Sequence, residues 1–341
     1  MTPLISPPGH PTSIRRRTCL SLAAALCLTA GQAFAQSRRL LRISTPAVPD
    51  DWHARMWTIM KEQLEQTAPG QFEVQISLNA TLFKQGAEPV AMARGNLEMT
   101  TLSAFDIAKL LPEFSLFTAG YVIRDQAHLM QVFNGPIGAE LFQRVSEKMD
   151  ITVLAPLYYG TRQLNLREHR KVTTPADLKG VKLRMPGSRE WLFLGQALGA
   201  TPTPLAFGEV YLGLRTGTID AQDNPLPTLK SAKFYEVTKQ ITLTGHLVDV
   251  LFIGVSNKLW NSLSPDQKSK LKSAAQSAAS YNNENRITDE KQLVDYFKSQ
   301  GLSVTTPDVD AFRKAVQATY LQSDYAKVWP QGLLERINAA R

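Results

Sequence analysis

The sequence is short of cysteine, of histidine and of charge. Its 341 residues hold two cysteines and five histidines, and only 20% are Asp, Glu, Lys or Arg. Both cysteines, Cys19 and Cys27, fall in an N-terminal stretch that reads as removable. The rest of the chain therefore has no thiol, which excludes a disulfide framework, thiolate metal sites and cysteine catalysis. His53, His128, His169 and His246 are dispersed and make no His-x-x-x-His pair. No Gly-x-Ser-x-Gly elbow, Walker loop or Gly-x-Gly-x-x-Gly is present either. No catalytic residue, metal or cofactor is expected, and a lone histidine such as His246 reads as a hydrogen-bonded structural residue. Basic runs are also missing. The net charge is +8, but setting aside Arg15, Arg16 and Arg17 leaves 35 Lys+Arg against 30 Asp+Glu, a surplus of five. That balance argues against nucleic acid and suits a modest bias toward small anions.

The N-terminal stretch sets the compartment. Residues 1–17 carry no acid and end in Arg15-Arg16-Arg17; an apolar run follows from Leu20 to Ala30, and Ala33-Phe34-Ala35 closes it. A positive start, a short apolar middle and a small-x-small ending make a secretory signal peptide over residues 1–35. The apolar run is well short of the roughly 20 residues that span a bilayer. Arg16-Arg17-Thr-Cys-Leu is a loose twin-arginine pattern that lacks the flanking Ser/Thr and Phe, so the export route stays open. Leu26 before Cys27 argues against a lipid anchor. A periplasmic, soluble protein is expected.

Beyond the signal, strands and helices alternate. Leu40–Ser44, Phe72–Leu78 with period-two alternation, Leu97–Thr101, Ile151–Ala155, Val181–Met185, Ile241–Thr244 and Val248–Val255 read as strands. Helical segments run from Asp50 to about Gln66, then over Glu88–Arg94, Gln126–Phe133, Gly138–Met149, Glu190–Leu198 and Phe207–Arg215. This rhythm argues for parallel sheets covered by helices. One element is unusual. Ser264-Pro265-Asp266-Gln267 is a capping box with proline at the first helical position, and neither Pro nor Gly intervenes before Gly301. A continuous helix there would span about 50 Å; the alternative is two helices meeting near Tyr281–Asn283.

With catalytic chemistry absent, arginines in apolar settings carry the functional signal. Arg184 sits in the strand Val-Lys-Leu-Arg-Met before Pro186, and Arg162 follows Leu157-Tyr-Tyr-Gly-Thr. A guanidinium offers a planar fork that matches a carboxylate bidentately and stays charged. Each arginine is a ligand anchor or else a solvated or salt-bridged side chain. Glu209, Asp220 and Asp223 read as cap and turn residues, the last two in a Pro-rich turn.

Several of these segments together resemble a known family. Gly160-Thr-Arg-Gln163, Pro175-Ala-Asp-Leu-Lys-Gly-Val-Lys-Leu-Arg-Met-Pro186, Leu198-Gly-Ala-Thr-Pro-Thr-Pro-Leu-Ala-Phe-Gly-Glu-Val-Tyr211, Leu214-Arg-Thr-Gly-Thr-Ile-Asp-Ala-Gln-Asp-Asn-Pro225 and Lys233-Phe-Tyr-Glu-Val237 stand in the order, and nearly the spacing, found in the extracytoplasmic solute-binding proteins of TRAP (tripartite ATP-independent periplasmic) transporters. The likeness is dense over about residues 154–260. It implies an α/β, periplasmic-binding-protein-like fold of two lobes with a central cleft, bridged by a long helix. The organisation expected is lobe I from 36–159 plus about 248–285, and lobe II from 160–247 plus about 286–341. The resemblance places Arg184 on the arginine that grips the ligand carboxylate and Arg162 on a second arginine that often contacts it. It places Asn224 on a polar ligand contact, Phe207 on an apolar wall and Ser103 on the first-lobe side. Trp191, early in the helix after Arg184, either reaches the cleft or packs inside its lobe. Ala221 stands where members commonly have glycine, and Arg215 where they often have glutamine. The implied function is capture of a carboxylate-bearing solute, a sugar acid or other small organic acid, for a TRAP membrane permease, by a monomer. A periplasmic sensor input or an enzyme acting on organic acids is the alternative.

Overall fold

Nine strands form one mixed sheet in the computed structural model, which describes residues 38–340 together with residues 3 and 4. Residues 1–35, read as a signal peptide, lie outside the described residues apart from Pro3 and Leu4. The strands are β1 (Arg39–Ser44), β2 (Phe72–Ser77), β3 (Met99–Ser103), β4 (Ile151–Leu166), β5 (Lys182–Met185), β6 (Thr201–Pro204), β7 (Ala221–Pro225), β8 (Gln240–Ser256) and β9 (Ser303–Thr305). Their order is β2-β1-β3-β8-β4-β7-β5-β6, with β9 beside β8. The outer pairs are parallel, as a β-α-β rhythm requires. The centre is not, which corrects the expectation of parallel sheets: β3/β8, β4/β8 and β4/β7 are antiparallel.

The reason lies in β4 and β8. Each is read from sequence as one or two short strands, yet they run for 16 and 17 residues and pair with each other over most of that length. They thread both halves of the sheet, β2-β1-β3 on one side and β7-β5-β6 on the other, and so join two α/β lobes. Alternation fails as a guide because the register slips between Val153/Ala155, Tyr158/Gly160 and Arg162/Leu164. At the second slip only glycine fits: Gly160 has φ +126°, and a Cβ there would lie 2.5 Å from Pro225 Cβ.

The capping box forms as read. The Ser264 hydroxyl accepts from Gln267 N at 3.2 Å, and the Gln267 side-chain oxygen accepts from Ser264 N at 3.1 Å. The helix runs unbroken over Pro265–Ser299, through Tyr281–Asn283, to the left-handed Gly301. Its buried face changes character along its length. Leu271, Ala274, Ala275 and Ala278 pack under β1, β4 and helix Trp52–Thr67, and Leu293 and Phe297 join the core around β9. Between them the buried residues are Asn282, Asn283 and Arg286. These meet β4 where its ladder is disturbed. Asn282 donates to Tyr158 O (2.8 Å), Asn283 accepts from Tyr158 N (2.8 Å), Arg286 donates to Tyr159 O (2.7 Å) and Glu290 accepts from Thr161 N (2.7 Å). Side chains of the helix thus satisfy backbone groups that would otherwise be stranded. The last helix, Leu333–Ala339, rests on Gln126–Asn134 and Pro136–Met149, with His128 Nε2 2.7 Å from Ile337 O and Arg336 paired with Glu140 at 2.8 Å. No helix among the described residues is long and apolar enough to cross a membrane.

Candidate functional site

A cavity with an empty volume of about 700 Å³ opens between the two halves of the sheet. Arg184, Arg162, Asn224, Phe207 and Trp191 border it from β4, β5, β7 and the segments that follow β5 and β6; Ser103 borders it from the end of β3. All six residues singled out in the sequence are therefore brought to one place. Three arrive because parallel and antiparallel strand ends converge there: Arg162 pairs with Pro225, Gln163 with Asn224, and Arg184 with Gln222.

Arg162 is locked in place. Its Nε donates to Asp249 Oδ2 at 2.7 Å, and its Nη1 donates to Asp223 O at 2.8 Å and Asp223 Oδ2 at 3.2 Å. The guanidinium carbon sits 4.2 Å from the centre of the Trp191 ring. Burial penalises the charge, but the two carboxylates outweigh that penalty and hold the group above its ordinary value. Asp223 is no turn residue. It lies in β7, fully buried, and shares Oδ2 with His246 Nε2 at 3.1 Å. A proline two residues later mimics a turn in sequence, whereas here Pro225 merely ends a strand. His246 is a hydrogen-bonded core residue, with Nδ1 2.7 Å from Thr244 Oγ1. Trp191 is both core and wall: it is buried against Phe105 edge-to-face at 6.1 Å, borders the cavity, and keeps its indole N–H without a hydrogen-bond partner.

Arg184 is equally deep, 1% exposed, but unbalanced. Its Nε donates to Leu205 O at 2.8 Å and its Nη2 approaches Gln85 Oε1 at 3.4 Å; among the described residues no carboxylate lies within ion-pair distance. Burial pulls its pKa down to about 10, so it remains a cation at neutral pH. Lys182 and Arg184 share one face of β5 by alternation, yet the structure seats Arg184 in the cavity wall while Lys182 stays half-exposed.

The facing wall was largely unread in the sequence. Ser103 donates to Asp106 Oδ2 at 2.7 Å, and Lys109 pairs with Asp106 Oδ1 at 3.1 Å. His53 Nε2 lies 2.7 Å from Thr101 Oγ1, and burial lowers its pKa to about 4, so the ring is neutral. Asp51, which caps helix Trp52–Thr67 in place of the expected Asp50, is paired with Arg286 and accepts from Ser231 Oγ at 2.9 Å. Glu88 is 4% exposed and burial pushes it up to about 7. Gln85 Oε1 accepts from Phe207 N at 3.2 Å, and the Phe207 ring packs edge-on to Phe234 at 5.7 Å. Asn224 donates to Gln222 Oε1 at 2.7 Å. No group of three His, Cys, Asp or Glu side chains among the described residues is placed to hold a metal ion. The arrangement can grip one anion and hydrogen-bond a polar body.

Residues 45–327 match the family model described as bacterial extracellular solute-binding protein, family 7. The sialic acid-binding periplasmic protein SiaP of Vibrio cholerae serotype O1 is 32% identical over 266 residues, covering 78% of this chain and 82% of that one. The 2,3-diketo-L-gulonate-binding periplasmic protein YiaO of Escherichia coli K12 is 32% identical over 270 residues, 79% and 81% of the two chains. Among solved structures, a TRAP periplasmic solute-binding protein of Roseobacter denitrificans with bound 3-deoxy-D-manno-oct-2-ulosonic acid superposes with TM-score 0.86 at 44% identity, over 89% of this chain and 100% of that one. Another from the same species, with bound L-galactonate, superposes with TM-score 0.82 at 27% identity, over 89% and 100%. The matched proteins are solute-binding proteins, not enzymes.

Proposed function

This chain belongs to bacterial extracellular solute-binding protein family 7, and we propose that it is the periplasmic receptor of a TRAP transporter, capturing a sugar acid or other small organic acid and handing it to the membrane permease. One observation carries the reading: Arg184 is a fully buried cation in a cavity wall with no carboxylate within ion-pair distance among the described residues. An unpaired buried charge is costly, and a bidentate carboxylate from a solute removes that cost. Arg162, already neutralised, adds its free Nη2 and a rigid backing. Asn224, Ser103 and the Trp191 N–H supply polar contacts, and Phe207 an apolar wall. The lobe division that goes with this reading is 36–159 plus about 248–285 against 160–247 plus about 286–341, with the last helix reaching back to the first lobe. Closure of one lobe on the other strips water from the anion and strengthens each charge-assisted bond. The closed form is then what the permease recognises.

The test is calorimetry of the purified mature protein against a library of organic acids. Arg184→Ala is expected to lose binding while keeping its unfolding transition. Affinity equal to that of the unaltered protein would remove Arg184 from the site and the reading with it.

A further inference from the structure

We propose that Glu88 makes this cavity selective for hydroxylated solutes bearing a single carboxylate, and against dicarboxylates. The inference rests on the reading that Arg184 anchors a carboxylate. The charged groups around the cavity otherwise pair off within the protein. Arg162 meets two carboxylates, Asp249 and Asp223, the second of which also acts on Arg184 from beyond ion-pair distance, while Asp51 is paired with Arg286 and Asp106 with Lys109. Two groups have no ion-pair partner among the described residues, Arg184 and Glu88. Glu88 Oε2 accepts from Gly86 N at 2.7 Å, and among the described residues no cation lies within ion-pair distance of the carboxyl, which borders the cavity. One short turn, 85–88, positions both ends: Gln85 reaches toward Arg184, and Glu88 opens the helix Glu88–Ala93 on the facing side.

The charge balance then decides which solutes fit. A first carboxylate finds Arg184. A second would have no unpaired cation to meet and would face Glu88, with Asp106 beside it; a stranded anion among buried groups is strongly disfavoured. A hydroxyl has the opposite fate. Burial places the Glu88 carboxyl near neutral pH between its two forms, and either form serves: the carboxylate accepts from a hydroxyl, and the protonated acid donates to one.

The experiment is calorimetry at neutral pH on the mature protein and Glu88→Gln. The probes are L-galactonate, D-glucuronate and 3-deoxy-D-manno-oct-2-ulosonic acid as hydroxylated monoacids, with galactarate and succinate as diacids. The unaltered protein is expected to favour its best monoacid over both diacids by more than about 100-fold, and Glu88→Gln to shrink that ratio by roughly tenfold. Thermal unfolding confirms that the isosteric variant is folded. A diacid bound within tenfold of the best monoacid, or a ratio untouched in Glu88→Gln, overturns the inference. If Arg184→Ala still abolishes monoacid binding in that case, the anchor reading survives and only the selectivity fails. If no acid binds the unaltered protein, or if Arg184→Ala binds as well as it does, the anchor reading falls too.

Discussion

Arg162 and Arg184 border the same cavity at nearly the same depth, and differ in what balances them. Around Arg162 two aspartates, a histidine and an indole face close in, so its charge is spent inside the protein. Around Arg184 there are a backbone carbonyl and a distant amide oxygen, and among the described residues no acid within ion-pair distance, Asp223 acting on it only from further off. Position in a cleft therefore does not by itself identify a ligand anchor; the missing counter-charge does. On the proposed reading, the first arginine holds the wall and the second is left for a solute carboxylate.

Four measurements sharpen or break this contrast. The largest effect is expected from Arg162→Ala, which strands Asp223 and Asp249 in the interior and should cost about 3–5 kcal/mol of folding stability by chemical denaturation; a loss under about 1 kcal/mol would erase the distinction. Next, Arg184→Ala should weaken carboxylate binding by about 2–5 kcal/mol in calorimetry, with an unfolding midpoint unchanged or higher because a lone buried cation has gone. A third effect is a pH dependence. Glu88 is raised from 4.5 to about 7 by burial, so its contribution is complete below about pH 4.5 and is lost as pH rises through about 7. The unaltered protein should therefore lose stability relative to Glu88→Gln across that window, on the order of 2 kcal/mol; parallel curves would mean the carboxyl is hydrated. Smallest is Arg184→Lys, which keeps the charge and loses the fork, and should cost about 1 kcal/mol of binding. A lysine as good as arginine would argue for a diffuse attraction instead of a paired contact.

Much of this was legible in the residues themselves. The capping box and the absence of Pro or Gly fix both ends of the 35-residue helix and leave open only a break near Tyr281–Asn283, and the rhythm of apolar runs finds most outer strands. Resemblance gathers Arg162, Arg184, Asn224, Phe207, Ser103 and Trp191, which the fold then places around one cavity. What was illegible is physical in origin. Period two cannot be followed through register slips, so β4 and β8 look like fragments and the antiparallel centre disappears. Asp223-Asn224-Pro225 has turn composition but strand geometry, because its hydrogen bonds come from the distant β4. Gln85 sits in a polar loop and Glu88 at the start of a short helix, neither distinctive in sequence, and only the folded chain shows them opposite a buried arginine. A local signal for Glu88 was present, an acid just before Pro89, but it reads equally well as a helix start.

The long helix is greased at both ends and wet in the middle. Alanine and leucine seat it at one end, leucine and phenylalanine at the other, while Asn282, Asn283, Arg286 and Glu290 hold β4 through polar contacts. Interlocked apolar surfaces resist turning because any rotation opens gaps, whereas polar contacts can tilt and re-form. If the lobes close as proposed, such a rod would hold their spacing and leave the change of angle to its waist, as an axle does for two wheels.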